Sequence, residues 1–175
     1  MHLARCNPDY LMNAIVQRLI DQDVLQGAGP IVGSSHQMLS PETQEPIQML
    51  LCPITIMPDK DNYADGFGTI MQGIFHIYYR HRNMEDAAWS DQTWLNGPSG
   101  YYQVQARAMR ALVPFWPVGT LADSKNGKRL TTTPLIVGMW NEPRRRKWVD
   151  RSLGEGMIEI RARFIAETNT LDPFA

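Results

Sequence analysis

The chain has 175 residues, of which 43% are hydrophobic and 20% charged, and its formal net charge is −1 at pH 7. This composition is typical of a soluble globular protein of one domain, and the near-zero charge excludes a general attraction to nucleic acid or to an acidic membrane. No segment approaches the roughly 20 apolar residues of a membrane-spanning helix, and the N-terminus lacks a signal-peptide pattern. We therefore expect a cytoplasmic protein without a membrane partner. Cys6 and Cys52 have no metal-binding spacing and predict two buried thiols.

The first predicted element is a helix over residues 8–25. Asn7 is a favourable N-cap, and Pro8 suits the first helical position. Gly27 predicts the end of the helix. Its core-facing stripe follows helical spacing and consists of Leu11, Ile15 and Leu19.

Two strands are predicted next. Segment 28–46 is broken by Gly and Pro and predicts a loop, with a short strand at 31–32. The apolar run at 47–57 predicts a strand buried on both faces at its centre, where Pro53 indicates an edge or a bulge. Residues 68–82 alternate apolar and polar side chains, so they predict a second strand that pairs antiparallel with the first.

The second half repeats the order of one helix and two strands. After a loop at 83–98 comes a helix that ends at Pro114. A loop at 115–133 leads to a third strand at 132–142, followed by a turn that Gly154 and Gly156 close. The predicted apolar stripe of this helix consists of Tyr102, Ala106, Met109 and Val113.

The last strand, at 157–168, shows the most regular alternation. Its polar positions are Glu159, Arg161 and Arg163, and its apolar positions are Ile158, Ile160, Ala162, Phe164 and Ala166. Strict alternation predicts a sheet with one buried and one solvated face. The elements together predict an α+β fold, a single domain over residues 1–175 with an antiparallel four-stranded sheet, two helices packed on one face, and long loops at 28–46, 83–98 and 115–133.

The sequence contains no recognisable catalytic set. His76 and His81 are five residues apart on a predicted strand, so they point to opposite faces and cannot share a metal ion. An alternative is a small α+β enzyme in which His76 or His81 acts with acidic residues of the 83–98 loop, namely Glu85, Asp86 and Asp91. Because these acids have no evident partner, we expect no enzyme activity, no metal and no cofactor.

One basic run stands out in the predicted turn: Arg144, Arg145, Arg146 and Lys147. Such a run can bind phosphate groups, which leaves a nucleic-acid-binding accessory protein as a second alternative. A solvated turn or a contact with an acidic protein is favoured, since the net charge is negative and no nucleic-acid-binding motif follows.

The order of elements and the character of the segments resemble the tail-terminator and tail-completion proteins of tailed bacteriophages, the group of minor tail protein U. The similarity covers most of the chain as a pattern and lies in segments 11–19, 50–56, 73–79, 101–113 and 157–166. The extra length relative to compact members of that family lies in the loops at 83–98 and 115–133.

The resemblance implies a structural virion protein, assembled in the host cytoplasm, that forms a hexameric ring at the phage neck. Such a ring ends the tail tube and joins it to the head-tail connector or stopper protein, and genome DNA passes through its lumen without sequence-specific binding. The partners would be copies of the chain itself, the tail tube protein and the connector. The candidate contact residues are Trp89, Trp94, Phe115, Trp116, Arg144, Arg145, Arg146, Glu159, Arg161 and Arg163.

Overall fold

A computed structural model describes residues 2–27, 29–33, 47–59, 70–83, 100–148 and 151–167. Two helices lie in these ranges, α1 (Pro8–Asp21) and α2 (Tyr101–Leu112). The strands are β1 (Arg5–Cys6), β2 (Ile31–Gly33), β3 (Ile47–Pro58), β4 (Ile70–Asn83), β5 (Ile136–Trp148) and β6 (Arg151–Ala166).

The strands form one mixed sheet of six, five of which curl into a half-barrel. Its order is β1-β6-β4-β3-β2, and β5 pairs with β6. β1 pairs with β6, and β2 with β3, in parallel, whereas the other pairs are antiparallel. The predicted antiparallel four-stranded sheet is therefore wrong. β1 and β2 contain only two and three residues, too few for a periodic pattern, and their parallel partners depend on tertiary packing.

Helix α1 begins as predicted and ends earlier than predicted. The Asn7 side-chain oxygen accepts hydrogen bonds from the backbone N–H groups of Asp9 and Tyr10, at 2.9 and 3.2 Å. The helix ends at Asp21 because Asp23 adopts a φ of 46°, in the left-handed region, before Gly27 is reached. The predicted core stripe is buried.

Helix α2 packs on the sheet with a different face from the predicted one. Its buried residues are Tyr101, Val104, Gln105, Ala108, Ala111 and Leu112. The predicted stripe faces away from the core, with Tyr102 and Val113 exposed at its two ends. The prediction is wrong because the helix carries two apolar stripes, and only the position of the sheet decides which stripe is buried.

The β2–β3–β4 part of the sheet agrees with the predictions. The register of β3 against β4 shifts between Pro53 and Thr55, which confirms the bulge. Residues 49–52 are all buried, which confirms burial on both faces at the centre of β3. The short strand predicted at 31–32 is β2, which pairs with Met49–Leu51 of β3.

The turn predicted around the basic run is instead a strand pair. Arg144, Arg145, Arg146 and Lys147 lie in β5, each paired with a residue of β6. Gly154 and Gly156 lie within β6 rather than closing a turn. Gly156 is required there because a Cβ atom on it would overlap the buried ring of Tyr101, which occupies the space of the missing side chain.

The alternation predicted for the last strand is confirmed. From Gly156 to Ala166, every second residue of β6 is buried. These side chains join Phe75 and Ile77 of β4 and the buried faces of both helices in one core. The opposite face of the sheet, here called the outer face, carries His76, Tyr78, Glu159 and Arg161. This face is only partly solvated, because Leu50 and Cys52 of β3 are buried on it.

Candidate interaction surfaces

Large apolar side chains are partly exposed along the stripe of α2 that faces away from the core and in the segment that follows the helix. Tyr102 is 46% exposed, Val113 51% and Trp116 37%. Ala106 and Met109 lie between them on the same stripe and are partly buried. Several exposed large apolar side chains on one side of a helix are a feature of protein contact sites. This surface, called the α2 stripe below, contains one of the predicted contact residues, Trp116.

The two aromatic residues predicted for a contact after α2 have different environments. Phe115 packs partly buried against the core, with the Arg18 guanidinium 5.2 Å from its ring centroid. Arg18 is held there because its Nε donates to the Ala111 carbonyl at 2.9 Å. Trp116 lies further out, with the Arg129 guanidinium 4.5 Å from its ring centroid. Phe115 therefore positions the segment, and Trp116 is available for a contact.

The segment predicted as the loop 115–133 is a well-packed turn structure. The Asp123 carboxylate accepts hydrogen bonds from the Thr120 N–H and hydroxyl at 3.0 and 2.9 Å, and from the Lys125 N–H at 3.0 Å. The Lys125 ammonium pairs with Glu167 at 2.6 Å, which fixes the turn to the end of the sheet. Its base is anchored by Leu130 and Thr131, which are fully buried.

A cleft of about 620 Å³ lies between α1 and this turn. Ala14 and Phe115 contribute apolar walls, and Asp21 lies at the helix side of the opening. Leu121 lies on the turn side of the cleft and is 90% exposed. The sequence offered no signal for this cleft, because it joins a helix face to a turn whose path depends on hydrogen bonds within the turn.

The three charged residues predicted for a contact on β6 already interact within the chain. Arg161 Nε donates to Glu159 Oε1 at 2.7 Å. Arg163 forms an ion pair and a hydrogen bond with Asp59, which is buried at the end of β3. Arg161 is the most exposed of the three predicted residues, with 47% of its side chain accessible. A partner on the outer face would therefore meet Arg161 first.

His76 lies on the outer face between a carboxylate and a hydroxyl group. Its Nε2 atom lies 3.7 Å from Glu159 Oε2, and its Nδ1 atom lies 3.2 Å from the Tyr78 hydroxyl. Burial lowers the pKa of His76, and the Glu159 carboxylate partly opposes this shift. The carboxylate next to His76 is thus Glu159, which the sequence placed on a solvated face without indicating its neighbour in the sheet.

The structure gives less support, or none, to the other residues considered for catalysis. The acidic residues of the 83–98 loop lie outside the described residues, and His81 pairs with Ile47 near the end of β4. Burial raises the pKa of Cys6 to about 12 and also raises the pKa of Cys52, so both thiols are protonated at neutral pH. Within the described ranges, no group of three or more His, Cys, Asp and Glu side chains is arranged to hold a metal ion.

The remaining predicted contact residues are placed only in part. Trp89 and Trp94 lie outside the described residues. The basic run of β5 follows two register shifts relative to β6, one between Val137 and Trp140 and one between Asn141 and Arg144. In the described part of the chain, no helix is long and apolar enough to cross a membrane.

Comparison with known proteins finds no family model that matches this chain and no curated protein with significant sequence similarity.

Proposed function

We propose that this chain is a structural virion protein of a tailed bacteriophage that forms a hexameric ring at the neck. In this proposal the ring terminates the tail tube and joins it to the head connector, and the chain acts without a cofactor. The proposal starts from the resemblance of the segments to tail-terminator and tail-completion proteins. In the structure, these segments lie on α1, β3, β4, α2 and β6, two helices on one face of a sheet.

The observation that carries the proposal is the α2 stripe. A side chain such as that of Val113 is stabilised by roughly 1.5–3 kcal/mol when it is fully buried rather than exposed. Because only about half of each of the three side chains is still exposed, a partner that covers them gains about half of this value at each residue. A ring repeats one such contact at each subunit boundary, so a modest surface on each chain is sufficient.

Both edges of the sheet disfavour a contact through added strands. Among the described strands, β5 pairs with β6 alone. It contains Pro143, two register shifts and the basic run. At the other edge β2 covers only three residues of β3, and Pro53 interrupts the rest. Proline, bulges, charge and short strands all oppose edge-to-edge pairing. Subunits that associate would therefore use side-chain surfaces such as the α2 stripe.

The charged surfaces suit the other partners expected at a neck. Arg161 on the outer face and the basic run of β5 offer cationic contacts to the tail tube protein or the connector. The net charge of −1 suits a channel through which DNA passes without tight binding.

Light scattering and negative-stain microscopy of the purified protein, alone and mixed with tail tubes, test this proposal. We expect rings that cap the tube ends. Val113→Asp should abolish the rings because it places a charge in the covered surface, whereas Val32→Asp, on exposed β2, should leave them intact. A protein that stays monomeric even with tail tubes would contradict the proposal.

A second candidate, a small enzyme, is favoured by the pairing of His76 with Glu159. A histidine next to a carboxylate and a tyrosine hydroxyl can act as a general base. Generic ester, phosphate and glycoside substrates provide the test. Turnover that His76→Asn and Glu159→Gln both abolish, with the fold intact, would favour the enzyme over the structural role.

A further inference from the structure

Leu121 is presented to solvent by a turn that is rigidly built. The Asp123 carboxylate closes the turn on both sides of Leu121, and Lys125 fixes it to Glu167. The backbone of the turn is closely packed at Gly119, since a Cβ atom there would overlap the backbone of Lys125. Leu121 is 90% exposed on this turn, so a partner that covers the turn can bury it.

The cleft between α1 and the turn lies directly beside Leu121. The cleft between α1 and the turn has about 620 Å³, and its apolar walls include Ala14, Phe115 and Val118. This volume is within the range of protein pockets that bind a ligand or a peptide side chain. The tip of the turn, Leu121 with its neighbours Thr120 and Ala122, forms the wall of the cleft opposite α1. The same region thus carries a projecting apolar side chain and a cleft with apolar walls.

Charges of both signs lie around the cleft, and among the described residues the one cation in its lining, Arg18, already donates a hydrogen bond from Nε to the Ala111 carbonyl. Asp21, on the α1 side of the cleft, is exposed and negative. Lys128, on the strand of the turn that hydrogen-bonds back to Gly119, is exposed and positive. A partner that inserts a copy of the turn into the cleft would bring its own lysine towards this aspartate. A second copy of the chain provides both the leucine and the opposite charge.

We propose that two copies of this chain associate about a two-fold axis, each inserting Leu121 into the α1 cleft of the other. The arrangement is two-fold rather than head-to-tail because the leucine and the cleft are adjacent on one surface, so one partner occupies both. This contact does not involve the α2 stripe and does not depend on the proposed ring. If rings form, the contact joins two rings face to face.

The mass of the purified full-length protein in solution tests this contact. Analytical ultracentrifugation should show a dimer of the 19.9 kDa chain, or an even-numbered assembly if rings are present. Leu121→Asp should halve the mass and weaken dimerisation about 100-fold, since the leucine loses its burial and a charge enters the cleft. Ile136→Asp, which changes another exposed apolar residue on β5, is the matched control and should leave the mass unchanged.

A charge exchange tests the orientation of the contact. Asp21→Lys alone and Lys128→Asp alone should each weaken dimerisation by about three- to tenfold, because each creates a like-charge pair. The double variant Asp21→Lys/Lys128→Asp carries the reversed pair in both copies and should restore the wild-type affinity. Circular dichroism checks that each variant is folded, and the positions are exposed, so folding should be unaffected.

Three results would overturn this proposal. The first is a wild-type protein that is monomeric at high micromolar concentration, and the second is a Leu121→Asp variant of unchanged mass. The third is a double charge-reversal variant that dimerises more weakly than either single variant. Binding of tail tube protein that Leu121→Asp abolishes, with a monomeric wild type, would assign the cleft to the tube instead. The ring proposal and the two-fold contact can be tested separately. A Leu121→Asp variant that no longer dimerises but still caps tail tubes would support the ring without the two-fold contact.

Discussion

His76 on β4 and Glu159 on β6 lie directly opposite each other, with Nε2 and Oε2 3.7 Å apart. On its other side Glu159 accepts a hydrogen bond from Arg161, and His76 contacts the Tyr78 hydroxyl. The outer face therefore holds a connected polar group within one chain. The pKa of His76 reports on this group and can be measured in the isolated protein.

The stability of the fold should depend on pH through His76. Burial lowers the pKa of His76 below its ordinary value of 6.5, so the unfolded chain binds a proton more readily than the folded protein. The free energy of unfolding is therefore retained above about pH 6.5 and falls as the pH drops from there through the folded pKa. We expect His76→Gln to reduce this fall, as measured by urea denaturation at about pH 7 and pH 5.

Removal of the neighbouring charge should shift the same pKa further. Because the Glu159 carboxylate raises the pKa of His76 against the effect of burial, Glu159→Gln should lower it below the wild-type value. NMR titration of the imidazole measures this directly, with His76→Gln used to assign the resonance. An unchanged or raised pKa in Glu159→Gln would contradict this effect of the carboxylate on His76.

Gly156→Ala should destabilise the protein. The added methyl group overlaps the Tyr101 ring, and overpacking in a dense core typically costs about 1–3 kcal/mol. Thermal or chemical denaturation measures the loss. In the Tyr101→Leu background the same change should cost less, since the clash is relieved. Gly33→Ala is the control, because its methyl group would meet Val16 at an ordinary contact distance of 3.4 Å. Equal costs at both glycines would contradict the packing explanation.

The two ion pairs of the outer face should differ in strength. Asp59 is buried and holds Arg163, so Asp59→Asn should lower the free energy of unfolding by about 1–3 kcal/mol. Arg161 is largely exposed, so Arg161→Ala should change it by about 1 kcal/mol or less. Urea denaturation of both variants measures the two changes in the free energy of unfolding. A larger loss in Arg161→Ala than in Asp59→Asn would contradict this prediction.

The basic run of β5 should protect an edge of the described sheet rather than bind DNA. Replacement of Arg144, Arg145, Arg146 and Lys147 by threonine should increase aggregation, because it removes the charge that opposes edge pairing. Turbidity during storage measures this effect. Retention on a DNA column should be unchanged by the replacement. A marked, salt-dependent loss of retention would instead favour the nucleic-acid-binding alternative.

Local signals in the sequence predicted much of the secondary structure. The cap at Asn7, the apolar run around Leu51, the bulge at Pro53 and the alternation in β6 are all found in the structure. Each of these depends on residues close together in the chain, where side-chain shape and spacing act directly on the backbone. The contact residues Trp89 and Trp94, outside the described residues, stay predictions.

The positions of the functional surfaces depended on contacts between distant residues. The sequence alone determined that Glu159 and Arg161 lie on the polar side of a strand, because a period of two follows from strand geometry. Only the tertiary structure decided that Glu159 meets His76, since register between distant strands is set by the packing of the whole sheet. It also decided which stripe of α2 is left exposed, because two apolar stripes compete for one core and the sheet buries only one.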